Sequence, residues 1–340
     1  MQEILIGRSE AGGRLDKFLT RYFKEADHGF LYRMLRKKNI TLNEKRAAGS
    51  ERLTEGDRIQ VFFSEETFLK MRGRPEKAAL ERKPLEIVFE NEDILILNKP
   101  AGLLSQKANA GDDSLTDRVA SYVLKSRSGD ACSFVPAVAN RLDRNTSGLV
   151  LAGKTLPGQQ LLSWLLRSSQ LDKYYLCFVK GELKEELSSS LYWQKEDESN
   201  KVFLRREPVP GSSLIRLSAR PLESFPGGLE LLKVKLISGK GHQIRAQLSY
   251  LGLPVLGDGK YGDAAFNRLM AEKLAIPLRH QLLHSYQIAF PAQIMTQELS
   301  PQAAALAGAL AGQSFKADPP PHFQRVWEAL GGNYGKSARP

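Results

Sequence analysis

The chain has 340 residues, long enough for one large core and a small module, and its 42% hydrophobic content is that of an ordinary globular protein. Forty-nine Lys and Arg against 38 Asp and Glu leave a formal charge of +11, which favours a polyanionic partner, most simply RNA, over a neutral metabolite. No long apolar run, signal peptide or lipidation motif is present, so the expectation is a cytoplasmic protein with no membrane partner.

In chain order, Leu15, Phe18, Leu19 and Tyr22 fall on one helical face. A second helix is expected over 29–38, ending in Arg33, Arg36, Lys37 and Lys38, where cations also suit the helix dipole. Short strand-like pieces follow at 40–43 and 53–62. Helix, basic helix and short β unit resemble the S-four-type RNA-binding module, over about residues 12–63. That resemblance implies phosphate contacts from Arg33, Arg36, Lys37 and Lys38, which position RNA without reading its sequence. Residues 64–84 are polar and weakly periodic and read as a linker.

A second domain is expected over 85–330. Residues 85–89 and 94–97 read as a hairpin, and its second strand runs into Asn98-Lys99-Pro100-Ala101-Gly102. A helix over 114–125 follows. Next, two apolar runs at 135–139 and 149–152 enclose the charged insert Asn140-Arg141-Leu142-Asp143-Arg144, a costly insert to bury without a purpose. A carboxylate beside guanidiniums keeps its charged form, which suits a nucleophile and not a proton donor. A helix over 155–169 leads to a strand over 173–181. A further strand over 229–237 feeds Ser238-Gly239-Lys240-Gly241-His242-Gln243-Ile244-Arg245, where glycines permit a tight turn into a helix. The tail reads as an Ala-rich helix over 301–311 and a capping helix carrying Phe323, Val326, Trp327 and Leu330.

The two cysteines, Cys132 and Cys177, are far apart in apolar settings and suggest neither a disulfide nor a zinc cluster. His280 and His284 are spaced for one helix face, but without further ligands they suggest no metal.

Arg141-Leu142-Asp143 with Thr146-Ser147-Gly148-Leu149 closely resembles the (His)-Arg-Leu-Asp-x-x-Thr-Ser-Gly-Leu motif of the RluA-type, ribosomal large-subunit pseudouridine synthases. Asn140 stands where that family usually has His. Five further segments resemble the family's motifs: 98–102, 173–181 (Lys-x-Tyr-x-x-x-Val-x-Gly), 239–245, Gly257-Asp258-x-x-Tyr261-Gly262, and the Leu-His-Ala-like strand at 282–290. The resemblance implies an α+β fold with a mixed, largely antiparallel sheet, and isomerisation of uridine in RNA, by default 23S ribosomal RNA, to pseudouridine. It makes Asp143 the catalytic residue, as nucleophile or as base towards the sugar, with Arg245 as its partner. Arg141 becomes the wedge that replaces a flipped base, and Lys99 lies beside the substrate. A tyrosine stacks on the uracil; the spacing allows Tyr174 or Tyr175, and Tyr174, directly after Lys173, is the expected ring. No cofactor or metal is implied, and the protein is expected to act as a monomer. The alternatives are a catalytically silent RNA-binding ribosome-assembly factor, and a hydrolase that releases the base. The latter needs a second, proton-donating carboxyl that does not stand out.

Overall fold

Four apolar clusters, one amino-terminal and three around the second sheet, organise the chain in a computed structural model that describes residues 1–72, 84–109, 111–126, 133–196 and 201–332. Cys132 and the 73–83 part of the expected linker lie outside the described residues.

The amino-terminal core is built on β1 (Gln2–Leu5), α1 (Leu15–Tyr22), α2 (His28–Arg36), β2 (Ile40–Leu42), β3 (Lys45–Arg46) and β4 (Arg58–Val61). The strands form an antiparallel sheet in the order β1-β4-β2-β3. Leu15, Phe18, Leu19, Leu31 and Leu35 drive the two helices onto that sheet. Asp27 caps α2 by accepting from the Phe30 amide at 2.7 Å.

The expected linker is corrected in its first part. Glu65–Arg72 form α3, because Phe68 buries its ring against Tyr22 and Phe23, with centroids 6.3 and 5.5 Å away. A single aromatic anchor, with the Ser64 hydroxyl accepting from the Thr67 amide at 3.2 Å, outweighs the polar composition that suggested a linker.

The module is fastened to the second domain through a buried carboxylate. Glu10, 1% exposed, accepts from the amides of Ser133 and Phe134 at 2.5 Å and from Arg21 Nη2 at 2.9 Å. Arg8 adds a contact to Asp93 at 2.6 Å. Carboxylates satisfied in this way are worth more than surface pairs, because removing one partner strands a buried charge.

The second domain opens with β5 (Ile87–Glu90) and β6 (Ile94–Lys99), the expected hairpin, then α4 (Leu115–Ser126), β7 (Ala137–Val138), β8 (Ser147–Gly153) and α5 (Leu156–Arg167). Strands β9 (Asp172–Lys180), β10 (Leu187–Glu196), β11 (Lys201–Arg205), β12 (Ser213–Phe225) and β13 (Leu229–Leu236) form a long antiparallel run. Then come α6 (Gln243–Tyr250), α7 (Ala264–Leu274), β14 (Leu283–Ala289), α8 (Pro301–Ala305), β15 (Ser314–Lys316) and α9 (Pro321–Ala329). The sheet order is β11-β10-β12-β13-β9-β14-β8-β6-β5, with β15 on β14 and β7 on β8. Among the strands of the described residues only β14 and β8 pair in parallel, so the sheet is mixed and largely antiparallel, as expected.

Alternation along β9 divides its side chains between two cores. Tyr175, Cys177 and Val179 join the core covered by α4 and α6. Leu176 and Phe178 join the core covered by α9, whose Phe323, Val326 and Trp327 form the expected cap.

Three expectations change in detail. The apolar run 135–139 yields only the two-residue β7, because Asn140 takes the next ladder position with its side chain, accepting from the Leu151 amide at 2.8 Å. The Ala-rich tail breaks after Ala305 into a short 3-10 turn at Ala307–Ala309. His280 and His284 share no helix: His284 sits in the central strand β14, whose residues alternate between cores, and His280 lies in the preceding loop.

His284 is wholly buried and neutral in its partners: its Nδ1 meets Ser147 Oγ at 2.9 Å and its Nε2 meets the Ala317 carbonyl at 2.8 Å. Burial pushes it down to about 4. Its contribution is therefore present above pH 6.5 and is lost as the pH falls towards 4, since the unfolded chain takes up the proton first. The expected loss is about 3 kcal/mol. Urea unfolding between pH 7 and 4.5 should be less steeply pH-dependent in His284→Gln, and parallel curves would contradict this account.

Candidate active site

The insert between β7 and β8 is held from several sides, and the anchors explain how a charged loop stays in place. Ser105 clasps Leu142, its hydroxyl donating to the Leu142 carbonyl at 2.9 Å and accepting the Leu142 amide at 3.0 Å. The Thr146 amide donates to the Asp143 carbonyl at 3.0 Å, and Gln281 Nε2 donates to Thr146 Oγ1 at 3.1 Å. Gly148, at φ +111°, lets the strand pass β14, since a Cβ there would lie 2.2 Å from the Ser285 carbonyl oxygen.

Lys99 belongs to the same frame. Its ammonium is fully buried and donates to the carbonyls of Pro100, Leu103 and Arg144 at 2.8–3.0 Å. Burial pushes it down to about 7, a tendency that the charge of Asp143 opposes. With all three donors directed to backbone, Lys99 is a positioning residue for the loop, which corrects the expectation of a substrate contact.

Within the frame, Asp143 meets Arg245: Nη1 to Oδ2 is 2.7 Å, across 102 positions of sequence. The neighbouring guanidiniums do not share the carboxylate. Arg144 Nε donates to the Gly102 carbonyl at 3.2 Å, and Arg141 is exposed at the loop surface. Local sequence proximity placed charges near Asp143, but the loop turns those side chains outward.

Arg245 is itself fixed by a second carboxylate. Its Nε and Nη2 donate to Asp258 Oδ2 and Oδ1 at 2.7 and 2.8 Å, a bidentate pair, and Asp258 Oδ1 also accepts from the amides of Lys260 and Tyr261. Asp258 is fully enclosed whereas the Asp143 side chain is 24% exposed, so one carboxylate is structural and the other is partly open to solvent. Burial opposes the charge on Asp258, but Arg245 and the two amides outweigh it and hold the carboxyl below its usual range. Burial likewise opposes the charge on Arg245, and Asp258 and Asp143 together raise it above an ordinary guanidinium. Gly257, at φ +77°, admits the close pass of the His280 carbonyl behind this loop.

Aromatic groups surround the pair. Tyr261 lies 5.3 Å from the Arg245 guanidinium, and its hydroxyl meets His242 Nδ1 at 3.0 Å. His242 caps α6 in a left-handed conformation, φ 57°, unusual for a residue with a Cβ. Tyr175 is 5% exposed on the Asp143 side of the sheet, and burial, with the Asp143 charge adding to it, pushes its phenol up to about 12.

Tyr174 is corrected. It points from the opposite face of β9, where its hydroxyl reaches Asp172 at 3.2 Å and its ring meets Lys233 and Lys235 at 4.7 and 5.7 Å. Strand alternation allows only one of two consecutive tyrosines to face Asp143, and that ring is Tyr175.

Sequence reasoning also passed over Asp258, His242, Tyr261, Ser105 and Lys173. The first three lie in the quoted segments beside Arg245 and at 257–262, so the signal was present. Lys173 is on the Tyr175 face, is 7% exposed and is pushed down by burial, with no carboxylate partner among the described residues. The four cations Arg33, Arg36, Lys37 and Lys38 are all exposed on α2 and the turn after it.

The pattern of the RNA pseudouridylate synthase family matches residues 93–250, a span that includes Asp143, Tyr175 and Arg245. Ribosomal large subunit pseudouridine synthase C of Pasteurella multocida is 31% identical over 84% of this chain and 85% of its own length. The chain belongs to the RNA pseudouridylate synthase family. An uncharacterized RNA pseudouridine synthase of Mycoplasma pneumoniae is 28% identical over 82% of this chain and 84% of its own length. The solved structure of human RNA pseudouridylate synthase domain containing 4 shares the fold, with a TM-score of 0.55 over 74% of this chain and 94% of that one, at 20% identity. The synthase is accordingly an RNA pseudouridylate synthase, an isomerase acting on RNA. No helix among the described residues is long and apolar enough to cross a membrane.

Because Asp258 is the enclosed partner of a buried guanidinium, Asp258→Ala should lower the unfolding free energy of the synthase by about 3–5 kcal/mol. Urea denaturation measures it, and a loss below about 1 kcal/mol would mean that Arg245 is held by other groups.

Proposed function

We propose that Asp143 is the catalytic residue and that the synthase acts on a uridine of large-subunit ribosomal RNA, the substrate named for its Pasteurella multocida relative. The observation that carries this reading is the asymmetric carboxylate pair: Arg245 is immobilised by buried Asp258 and presents Asp143, 2.7 Å away, to the cleft. Pseudouridine formation breaks the bond from ribose to the uracil nitrogen, turns the base and joins the same sugar to carbon. No atom is gained or lost overall: the hydrogen displaced from uracil carbon 5 leaves to water and the freed nitrogen takes one up. The protein must therefore supply a group that takes up and returns the sugar, or a proton of the sugar. Asp143 does this, as nucleophile or as base towards the sugar. Arg245 supports its charge without donating a proton, since a guanidinium remains protonated.

A paired uridine leaves its helix to reach Asp143, at a cost of a few kcal/mol. Exposed Arg141, two positions before the acid, fills the vacated stack, and Tyr175 bears on the extruded ring. Lys99 holds the loop in register through the Arg144 carbonyl. Residues 12–63 act as an S-four-type RNA-binding unit whose Arg33, Arg36, Lys37 and Lys38 engage phosphates, and 85–330 carry catalysis. The synthase works as a monomer in the cytoplasm.

Asp143→Asn should abolish tritium release from RNA labelled at uracil carbon 5, with RNA affinity changed less than about twofold. Turnover comparable with the unsubstituted protein would remove Asp143 from the mechanism. Replacing Arg33, Arg36, Lys37 and Lys38 by Gln should flatten the dependence of log affinity on log salt by about 0.7–0.9 per lost contact. An unchanged slope would assign these cations to solvent.

A further inference from the structure

A second basic cavity lies behind the candidate active site. The loop after α7 and the start of α9 line an open pocket of about 460 Å³ with Ile276, Pro277, Arg279, His280, His322 and Arg325, and no carboxylate lines it among the described residues. Arg279 and Arg325 make no ion pair among the described residues, unlike Arg245. The His280 and His322 rings are 5.8 Å apart, and His322 Nε2 is buried without a hydrogen-bond partner. Burial lowers both imidazoles; at His280 a hydrogen bond with the Arg279 backbone opposes this while the Arg279 charge adds to it, and His280, Arg325 and Arg279 each lower His322 further. The α9 helix begins here with Pro320 and Pro321, and its first turn has no side-chain cap. Two exposed guanidiniums and two half-buried imidazoles converging on one pocket make a positive potential that attracts an anion.

The cavity adjoins the catalytic loops. The His280 carbonyl packs on Gly257, next to Asp258, and Gln281 donates to Thr146 beside Asp143. Leu282 continues the contact, its amide donating to the Leu256 carbonyl at 2.8 Å.

We infer that this cavity binds a phosphate group, and that its source is a phosphodiester of the substrate RNA flanking the target uridine. The second clause rests on the proposed action upon RNA; the first does not. Two guanidiniums offer forked donors to phosphate oxygens, and the imidazoles add one donor each, taking up a proton as the anion arrives. A strand held here lies one loop away from Asp143, so it fixes the distance between a backbone phosphate and the reacting nucleotide.

The test uses the full chain. Inorganic phosphate, then a substrate stem-loop RNA, is titrated while the ring resonances of His280 and His322 are followed, assigned with His280→Gln and His322→Gln. Both ligands should move both resonances. In steady-state tritium release, Arg279→Ala with Arg325→Ala should raise KM for RNA about tenfold with kcat kept, and reduce the salt slope by about 0.7–0.9 per lost contact. Resonances that respond to neither ligand would overturn the site. A response to phosphate but not to RNA would overturn the RNA source, and a fall in kcat at unchanged KM would make the arginines structural. Failure of the unsubstituted protein to release tritium would count against the proposed function alone, because the phosphate titration does not depend on turnover.

Discussion

The arrangement around Asp143 depends on one guanidinium that serves two carboxylates. Arg245 could not hold an accessible acid in place while itself free to rotate, since an exposed pair of long side chains gains little net energy and keeps its freedom. Asp258 removes that freedom. Two of its contacts reach Arg245 and two more reach backbone amides, so the guanidinium plane is set before any substrate arrives. What remains of Arg245, a single Nη1, points at Asp143. The energetic burden of burying three charges is thus met by near-complete hydrogen bonding, and the one carboxylate left partly open is the one proposed to react.

The loop that carries Asp143 is held by a parallel logic. A buried ammonium takes the carbonyls on both sides of the cleft floor, a serine clasps Leu142, and a threonine and glutamine brace the turn. Each anchor comes from a different element, so rigidity in the loop is a property of the whole domain. An inward-facing aromatic ring from β9 and a tyrosine-histidine pair from the 257–262 loop and the α6 cap complete the wall.

The amino-terminal module is docked and not merely tethered. Glu10 is enclosed at the contact and receives three donors from two parts of the chain, while Arg8 reaches Asp93 at the turn of the β5–β6 hairpin. With the module held this way, the basic face on α2 stands at a set position relative to the cleft, and the RNA proposed to span them must fit that separation.

Much of this was legible in the sequence. Apolar periodicity located α1, α2, α4, α5 and the strands β6, β8, β9 and β13, because burial of one face is a local, repeating requirement. The resemblance to the family's motifs implied Asp143 and Arg245 as partners, although 102 positions separate them. Position on a sheet face was a different matter. Tyr174 and Tyr175 have the same composition and adjacent numbers, and only the register of β9 against β13 shows that Tyr175 looks towards Asp143. Lys99 looked like a ligand for substrate until its three carbonyl acceptors came into view, and α3 looked like a linker until Phe68 found Tyr22 and Phe23. The sequence by itself determined most of the elements, and its family motifs marked the charged groups proposed to carry the chemistry. Tertiary structure alone decided which side chain faces the cleft, which cation is spent on backbone, and which carboxylate is enclosed, because those depend on contacts between segments that no local pattern encodes.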